Sequence, residues 1–320
     1  MPSKPPPRGP RRARRNEKPA IWKPGPSARQ VEHEGMDLAH FIAEIAKGEI
    51  SVRAVRRALD QGSCRVNGRV ESYGSRKLRK GDIVEFFVPS QHQRDHDYDE
   101  RRVLFADDDL IAYDKPPGLP VTPDDGGKKW NLRAVLLKQL GGSVIAVHRL
   151  DADTSGIVVF ARNPKAARAL EDAFREHRIA KTYLALVRGH PLDQGEYRSY
   201  LIKVASEKGV EKWKSGRGRD AREAVTTWTV AERIGKYGSL VEVVPKTGRY
   251  HQIRIHFSEM GHPIYGDRVH GDRQDPIHVT RHLLHAWKLE IAHPETGRML
   301  RLATTYPADF TAAVKLLRKV

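Results

Sequence analysis

The chain of 320 residues contains a single cysteine, Cys64. One cysteine excludes an intramolecular disulfide and a zinc site built from several thiolates. We therefore expect Cys64 to be a small buried side chain in a reducing compartment. The sequence also lacks an apolar run long enough to cross a bilayer, and its N-terminus has no apolar core of a secretory signal. These absences predict a cytoplasmic protein that does not associate with membranes.

Acidic side chains are too few to balance the basic ones. The chain has 40 Asp and Glu residues against 57 Lys and Arg, a formal net charge of +17, and such an excess points to a polyanionic partner. The charge is densest in residues 1–30, where nine Lys or Arg accompany one acid. We predict that this segment is a disordered basic tail. It is either an arm that grips RNA phosphates or a dispensable solvated segment, and the sequence leaves both interpretations open.

Residues 31–90 carry the signals of a small α/β domain. Two helices are predicted to begin after the capping residues Asp37 and Ser51. Their predicted buried faces consist of Leu38, Phe41, Ile42 and Ile45 in the first helix and Val52, Val55 and Leu59 in the second. Asn67-Gly68 between apolar residues predicts a hairpin, and a strand within residues 81–88 completes the domain.

The second predicted helix also carries a compact cationic face. Arg53, Arg56 and Arg57 lie at positions i, i+3 and i+4, opposite the apolar face. Alone, such a cluster is usually just a solvated surface. The order helix, helix, hairpin, strand, however, resembles the small RNA-binding domain named after ribosomal small-subunit protein S-four. In that family the second helix and the hairpin contact RNA, so the resemblance implies that Arg53, Arg56, Arg57 and Arg65 bind RNA.

Residues 91–101 contain almost no apolar side chains, and we interpret them as a linker to a larger domain over residues 102–320. In this domain Asn163-Pro164 is typical of a helix start. The predicted strands are 103–105 and 110–113, which form a hairpin, followed by 182–187, 224–230, 240–244 and 250–257. Strands outnumber helices and no regular βαβ repeat occurs, so the predicted fold class is α+β with a mixed, largely antiparallel sheet.

The most informative segment reads His-Arg-Leu-Asp-Ala-Asp-Thr-Ser-Gly at residues 148–156, followed by an apolar, largely β-branched run at 157–160. Polar groups at the mouth of an apolar strand indicate a site held by a rigid element. A polar turn before a strand is also common without any function. From the residues alone, Asp151 is therefore a candidate catalytic carboxylate or a turn residue.

This segment resembles the signature of the RNA pseudouridine synthases of the RluA type, which reads His-Arg-Leu-Asp, two free positions, Thr-Ser-Gly. Three further segments are similar to that family's motifs in type and order: Lys-Pro-x-Gly at 115–118, Lys-x-Tyr at 181–183, and the C-terminal motif within 247–267. Together the four segments span about residues 103–305. The resemblance implies the pseudouridine synthase catalytic fold, isomerase activity and an RNA substrate.

Pseudouridine formation breaks the N1–C1′ bond of a uridine, rotates the uracil and rejoins it through C5 to C1′. The base must first leave the helical stack, and no cofactor is needed because no redox change occurs. The resemblance makes Asp151 the essential aspartate, which attacks C1′ or C6 or assists glycal formation. The family acts on large-subunit ribosomal RNA and on tRNA, and the S-four-like domain favours ribosomal RNA by analogy.

A buried carboxylate needs an opposing cation, because burial alone raises its pKa. Arg254 is the candidate. Residues 250–257 predict a strand whose alternation places Tyr250, Gln252, Arg254 and His256 on one face, so that Arg254 projects into the site from that strand. In the family the matching arginine pairs with the aspartate, and a guanidinium suits a bidentate contact with a carboxylate.

The resemblance assigns further roles. Tyr183 matches the tyrosine that stacks on the uracil and is proposed to assist C5 deprotonation, although a lone tyrosine in a strand is more often a core residue. Arg149 matches the arginine that replaces the flipped base in the RNA stack. The residues that we expect to brace the pocket or to aim Asp151 are Lys115, His148, Thr154, Ser155, Gly156 and Gln252.

The 15 histidines do not suggest a metal site. His251 and His256 would face opposite ways on the predicted strand, His282 and His285 lie on an unassigned element, and no His-Glu-x-x-His string occurs. We therefore expect no metal site, and we expect a monomer without a cofactor.

One alternative function is a catalytically silent RNA-binding or ribosome-assembly factor. The presence of all the catalytic candidate residues argues against it. A glycosidase-like hydrolase would need a second carboxylic acid; Asp153 is the only acid in the motif able to serve, and nothing supports that role.

Overall fold

The computed structural model describes residues 28–46, 51–60, 64–71, 73–86, 97–123, 130–204, 212–271, 275–277 and 279–319. Most of the predicted basic tail therefore lies outside the described residues, as do the side chains of Arg53 and Arg57. In the part that is described, no helix is both long enough and apolar enough to span a bilayer.

The N-terminal unit contains two helices and a four-stranded antiparallel sheet. Its elements are β1 (Ala28–Gln30), α1 (Leu38–Ile45), α2 (Val52–Asp60), β2 (Cys64–Val66), β3 (Arg69–Val70) and β4 (Ile83–Phe86). The strand order is β1-β4-β2-β3. The predicted tail is too long by its last three residues, because β1 pairs with the edge of β4. Backbone pairing with an open edge needs no apolar side chains, so composition gives no sign of it.

The local signals in this unit produce the predicted elements. Asn67 and Gly68 adopt φ angles of +53° and +78°, the conformation that a two-residue hairpin requires. Asp37 begins α1, but its side chain makes no capping hydrogen bond and instead pairs with Lys77 Nζ at 3.1 Å. Cys64 is fully buried, as predicted, and burial raises the pKa of its thiol to about 12.

The C-terminal unit is built on one large sheet. Its strands are β5 (Val103–Ala106), β6 (Leu110–Lys115), β7 (Ile145–Ala146), β8 (Ser155–Ala161), β9 (Ala180–Arg188), β10 (Gln194–Val204), β11 (Lys212–Ser215), β12 (Arg222–Ile234), β13 (Gly238–Pro245), β14 (Leu284–Ala292) and β15 (Met299–Ala303). Its helices are α3 (Leu132–Leu140), α4 (Pro164–Arg175), α5 (Gln252–Glu259) and α6 (Ala308–Leu317). The main strand order is β11-β10-β12-β13-β9-β14-β8-β6-β5. The fold class is α+β with a mixed, largely antiparallel sheet, as predicted.

The start of this unit lies before the predicted boundary at residue 102. The backbone N–H of Asp99 donates to the Tyr113 hydroxyl at 3.0 Å, and the ring of Tyr98 lies 6.2 Å from that of Tyr113. The predicted linker 91–101 is described only from residue 97 onward, and those residues already contact β6. The polar run located the start of the C-terminal unit only approximately. It contains one aromatic residue, Tyr98, and the ring of Tyr98 already packs against Tyr113 of this unit.

The predicted helix start at Asn163 is confirmed. The Asn163 side chain accepts from the backbone N–H of Ala166 at 2.8 Å, and Pro164 opens α4. The buried face of α4 packs on one side of β6 and β8, against Ile157 and Val159. The alternate residues of β8, Val158 and Phe160, face a second cluster that includes α3. The strand β8 is thus buried on both faces and forms a rigid support.

The predicted strand over residues 250–257 is wrong. Gln252–Glu259 form the helix α5, and its first six residues are all buried. A helix that is buried on every side has no polar stripe that would identify it as a helix. Its polar residues at every second position were therefore interpreted as the alternation of a strand. They alternate because each has a buried partner: Gln252 and His256, one helical turn apart, both hydrogen-bond to Thr226 Oγ1.

Candidate active site

Asp151 lies in the turn that leads into β8. The backbone N–H of Thr154 donates to the Asp151 carbonyl oxygen at 3.1 Å, and β8 begins at Ser155. The Asp151 side chain is 22 % exposed. Its carboxylate is therefore accessible at the end of a rigid strand while being largely removed from water.

Arg254 joins two carboxylates. Its Nη1 donates to Oδ2 of Asp151 at 2.8 Å, while Nε and Nη2 donate to the two oxygens of Asp267 at 2.7 and 2.9 Å. The predicted pair of Arg254 and Asp151 is formed, but from a helix instead of a strand, and the bidentate contact is made with Asp267. Asp267 is 1 % exposed and also accepts from two backbone N–H groups. It fixes the guanidinium so that Nη1 is directed at Asp151.

Arg254 supplies the charge that keeps Asp151 ionised. Burial acts to raise the pKa of Asp151, but the surrounding positive charge outweighs it, and the pKa lies below its usual range. His251 and His282 add to this effect only when protonated, and burial lowers their pKa values to about 4 and about 3. At neutral pH both imidazoles are uncharged, so the guanidinium is the cation that acts on Asp151.

His251 was not predicted as a site residue, because the assumed strand turned it away from Arg254. Its Nε2 lies 3.5 Å from Oδ2 of Asp151, and its Nδ1 lies 2.8 Å from Nε2 of His270. His251 has a φ of +52°, a left-handed conformation that costs a non-glycine residue about 1 kcal/mol or more. The surrounding contacts therefore hold a strained residue beside the candidate catalytic carboxylate.

Tyr183 reaches the same region from the neighbouring strands. Across the sheet Gly156 pairs with Ala286, and Ala286 pairs with Tyr183, so the tyrosine lies level with the beginning of β8. The side chain packs in the cluster that contains Leu150 and Ala286. Burial raises the pKa of Tyr183, and the negative charge of Asp151 raises it further. The phenol is protonated at neutral pH, which suits a stacking surface and opposes a role as proton acceptor.

Lys115 is fully buried beneath the Asp151 turn. Its Nζ donates to the carbonyl oxygens of Pro116, Leu119 and Ala152 at 2.8, 2.9 and 2.7 Å. Burial lowers the pKa of Lys115 to about 7, but only the ammonium form has a proton for each of the three carbonyls. Lys115 thereby ties the Lys-Pro-Pro-Gly segment to the turn that carries Asp151.

The residues that follow Asp151 are fixed by His282, which precedes β14, and by His285, which lies in β14. Thr154 Oγ1 lies 2.8 Å from His282 Nε2, and Ser155 Oγ lies 2.9 Å from His285 Nδ1. Gly156 has a φ of +109°, and a Cβ atom there would lie 2.2 Å from the Ala286 carbonyl oxygen. Only glycine permits this approach of β8 and β14, which brings the two histidines to the turn.

Arg281 completes this support and was missed. It is 5 % exposed, donates to the Asp153 carbonyl oxygen at 2.8 Å and to Ser155 Oγ at 3.1 Å, and forms a bidentate pair with Asp309. These contacts connect the Asp151 turn to the start of α6. They join segments more than 120 residues apart in sequence, and no local pattern announces them.

The remaining predicted residues lie around the site or away from it. His148 accepts from the backbone N–H of Val159 at 2.9 Å and stacks on Phe174 at 4.3 Å. Arg149 is exposed close to Asp151 in sequence. Gln252 is buried, and its amide binds Thr247, Arg249, Val225 and Thr226, so it braces the start of α5. In the N-terminal unit, Arg56 is exposed and Arg65 is half-buried.

Among the residues that the structure describes, one group of side chains has donor atoms close enough to surround an ion. The ligand atoms of Asp107, Asp109 and His293 lie within 4.8 Å of one another. Asp107 already accepts from the backbone N–H groups of Asp109 and Leu110, and its other oxygen lies 2.7 Å from His293 Nε2. The group therefore closes the β5–β6 turn, and its internal hydrogen bonds explain its geometry.

Comparisons with known proteins show the family of the chain. A family model described as RNA pseudouridylate synthase matches residues 109–259. The chain is 30 % identical to ribosomal large subunit pseudouridine synthase C of Pasteurella multocida, over 90 % of this chain and 92 % of that protein. It is 37 % identical to tRNA pseudouridine synthase C of Haemophilus ducreyi, over 64 % of this chain and 90 % of that one.

The fold has solved counterparts. The structure of human RNA pseudouridylate synthase domain containing 4 superposes with a TM-score of 0.55 at 25 % identity, covering 68 % of this chain and 93 % of that one. Sequence and structure thus agree on the class of enzyme. The chain belongs to the RNA pseudouridine synthase family, whose members are isomerases that convert uridine to pseudouridine in RNA.

Proposed function

We propose that this protein isomerises a specific uridine of structured RNA to pseudouridine and that Asp151 is its essential catalytic carboxylate. The observation that carries the proposal is the ion pair of Asp151 with Arg254, which is itself fixed by Asp267. This ion pair keeps the Asp151 carboxylate charged although the side chain is largely removed from water, and the carboxylate remains accessible. Arg254 engages Oδ2 and leaves Oδ1 for the substrate.

The reaction needs no external reactant. The N1–C1′ bond breaks, the uracil turns, the C5–C1′ bond forms, and the proton lost from C5 is balanced by the proton gained at N1. The ionised Asp151 supplies the negative charge that the electron-poor sugar carbon or uracil ring demands. The neutral ring of Tyr183 holds the π-face of the uracil without reading its edge, which allows the base to turn. The exposed Arg149 fills the gap that the extruded base leaves in the RNA stack.

We propose large-subunit ribosomal RNA as the substrate. The Pasteurella relative that carries this activity in its name matches 90 % of the chain. The Haemophilus relative named for tRNA matches 64 %, which leaves about a third of this chain without a counterpart there. A cytoplasmic site of action fits a chain with one buried thiol.

The substrate assignment is tested by mapping pseudouridines in total RNA from cells with and without this protein. We expect the loss of one or a few pseudouridines from large-subunit ribosomal RNA and their return when the gene is restored. Loss from tRNA instead would overturn the substrate proposal alone. Identical maps in both strains would overturn the enzymatic proposal and favour an RNA-binding or assembly factor.

We also propose that the N-terminal unit, which begins with β1 at Ala28, is an S-four-like RNA-binding domain. It is attached to a catalytic domain that already includes Tyr98 and Asp99. The exposed Arg56 on α2 and the half-buried Arg65 on β2 are the described side chains that support this proposal. The basic tail would add further phosphate contacts.

The double variant Arg56→Ala, Arg65→Ala should weaken binding to the mapped RNA and flatten its salt dependence. Each phosphate contact that is lost reduces the slope of log affinity against log salt by about 1. The control is Arg318→Ala, which removes an exposed arginine from the C-terminal unit and should leave the slope unchanged. Equal slopes for the double variant and the wild type would refute RNA contact by these arginines.

A further inference from the structure

Three aromatic rings lie in a row beside the candidate active site. The ring of Tyr250 stacks on His251 with centroids 3.8 Å apart and planes at 18°. The ring of Trp213, on β11, lies 6.1 Å from that of Tyr250. His251 in turn lies 3.5 Å from the Asp151 carboxylate. Tyr250 is therefore separated from the reacting centre by a single ring, yet it is 39 % exposed.

Tyr250 and His251 are adjacent in the sequence, and the rings of adjacent residues rarely stack. The backbone conformation of His251 makes this contact possible. Side chains of adjacent residues point to opposite faces in a strand and do not face each other in a helix. The left-handed conformation of His251 (φ +52°) just before α5 brings the two rings together. His270 holds the imidazole through Nδ1 at 2.8 Å. The tyrosine thus rests on a fixed support.

Trp213 is also anchored. It packs against the cluster of Leu201, Ala224 and Ile255. The end of β11 is tied to α5 because Ser215 donates its backbone N–H and its hydroxyl to Glu259 at 3.1 and 2.6 Å. The row of rings is therefore assembled from two elements that are joined to each other, which makes it a surface of defined geometry.

The segment that follows Trp213 in the sequence is cationic. Residues 214–222 include the exposed Lys214, Arg217, Arg219 and Arg222 against one exposed acid, Asp220. Exposed aromatic rings beside positive charge are the arrangement with which proteins bind single-stranded nucleic acid, because bases stack on the rings and phosphates pair with the cations. Extrusion of a uridine unstacks its neighbours and so presents bases that need such a partner.

We propose that Tyr250, supported by His251 and flanked by Trp213, stacks on the nucleobase adjacent to the target uridine. This proposal rests on the proposed function, because it assumes that the enzyme has a target uridine. It assigns the surface a ligand class, an unstacked RNA base of any identity, since every base offers a π-face. Tyr250 acts here in RNA binding, whereas Asp151 and Arg254 act in the reaction.

The test uses an RNA stem-loop that carries the mapped uridine, with the fluorescent base 2-aminopurine placed on its 5′ or its 3′ side. Wild-type protein and Tyr250→Phe should quench the fluorescence at one of these two positions. Tyr250→Ala and Tyr250→Leu should lose the quenching and bind the RNA about fivefold to 100-fold more weakly, the range expected for one base–aromatic stack. Leucine keeps an apolar side chain over His251, so it separates loss of the π-face from loss of packing.

Equal quenching and equal Kd for wild type and Tyr250→Leu would overturn the inference. The same holds if Tyr250→Phe loses binding as fully as Tyr250→Ala, because a hydroxyl contact would then explain the effect. Failure of the proposed function would give a different result: the wild-type protein would make no pseudouridine. The fluorescence and the Kd report on stacking whether or not turnover occurs.

Discussion

Asp151→Asn should abolish pseudouridine formation while changing RNA affinity by less than about threefold. Asparagine keeps the size of the side chain but removes the negative charge, so the transition state loses its anionic partner. We expect kcat to fall by more than about 1,000-fold, which corresponds to about 4 kcal/mol in activation free energy. The fold should survive, because Arg254 remains paired with Asp267. Single-turnover kinetics and RNA binding measured in parallel check both parts.

The chain offers a matched control for this variant two residues further on. Asp153 is exposed and contacts Arg281 through its carbonyl oxygen. Asp153→Asn removes the same charge from the same turn and should retain activity within about threefold, as surface substitutions usually do. If Asp151→Asn were as active as Asp153→Asn, the assignment of the catalytic carboxylate would be refuted.

Arg254→Gln should produce an enzyme whose activity depends strongly on pH. In the wild type the pKa of Asp151 lies below its usual range, so the carboxylate is ionised throughout pH 5–8. Without the guanidinium, burial raises this pKa, and the adjacent Asp267 raises it further. Activity of the variant should therefore fall as the pH is lowered from 8 to 5, while the wild type loses none through this group. At pH 8 we expect kcat/KM to be lower by about 100-fold to 1,000-fold.

The same substitution should destabilise the protein, because it leaves a buried carboxylate without its cation. The expected loss is about 3–5 kcal/mol in the free energy of unfolding, measurable by urea denaturation. Arg254→Lys keeps the positive charge without the bidentate geometry, and it should give a flat pH–rate profile at reduced activity. A profile for Arg254→Gln as flat as that of the wild type would contradict the role of Arg254 in keeping Asp151 ionised.

The features that could be predicted from the sequence are those with local causes. The Asn67-Gly68 hairpin and the start of α4 at Asn163 follow from turn geometry and helix capping, which a few neighbouring residues decide. The burial of Cys64 followed from its residue type. The approach of Arg254 to Asp151 was also anticipated, but through resemblance and an incorrect strand.

The error at α5 shows why alternation misleads in a buried segment. Gln252 and His256 are polar and buried because Thr226 on a neighbouring strand accepts or donates a hydrogen bond to each. Pattern rules assume that polar side chains face water. Where polar side chains form hydrogen bonds inside the protein, their spacing reflects the positions of their hydrogen-bond partners. It then does not indicate the secondary structure.

The site residues that were missed depend on distant partners. Asp267 is recognisable only once Arg254 is placed, since its carboxylate contacts that guanidinium and two backbone N–H groups. Asp267 does lie in the C-terminal motif, beside a glycine, which was the one available signal. His251 required the left-handed conformation, which is rare for histidine and has no reliable local signature.

The hydrogen bond between Asp151 and Arg254 spans 103 residues of sequence, and that between Ser155 and His285 spans 130. During synthesis from the N-terminus, the candidate catalytic carboxylate leaves the ribosome long before the guanidinium that keeps it charged. A nascent chain that ends before residue 254 has the signature segment but lacks the guanidinium that pairs with Asp151. Asp151 and Arg254 can therefore pair only after most of the chain has been synthesised, although β8 is complete by about the middle of translation.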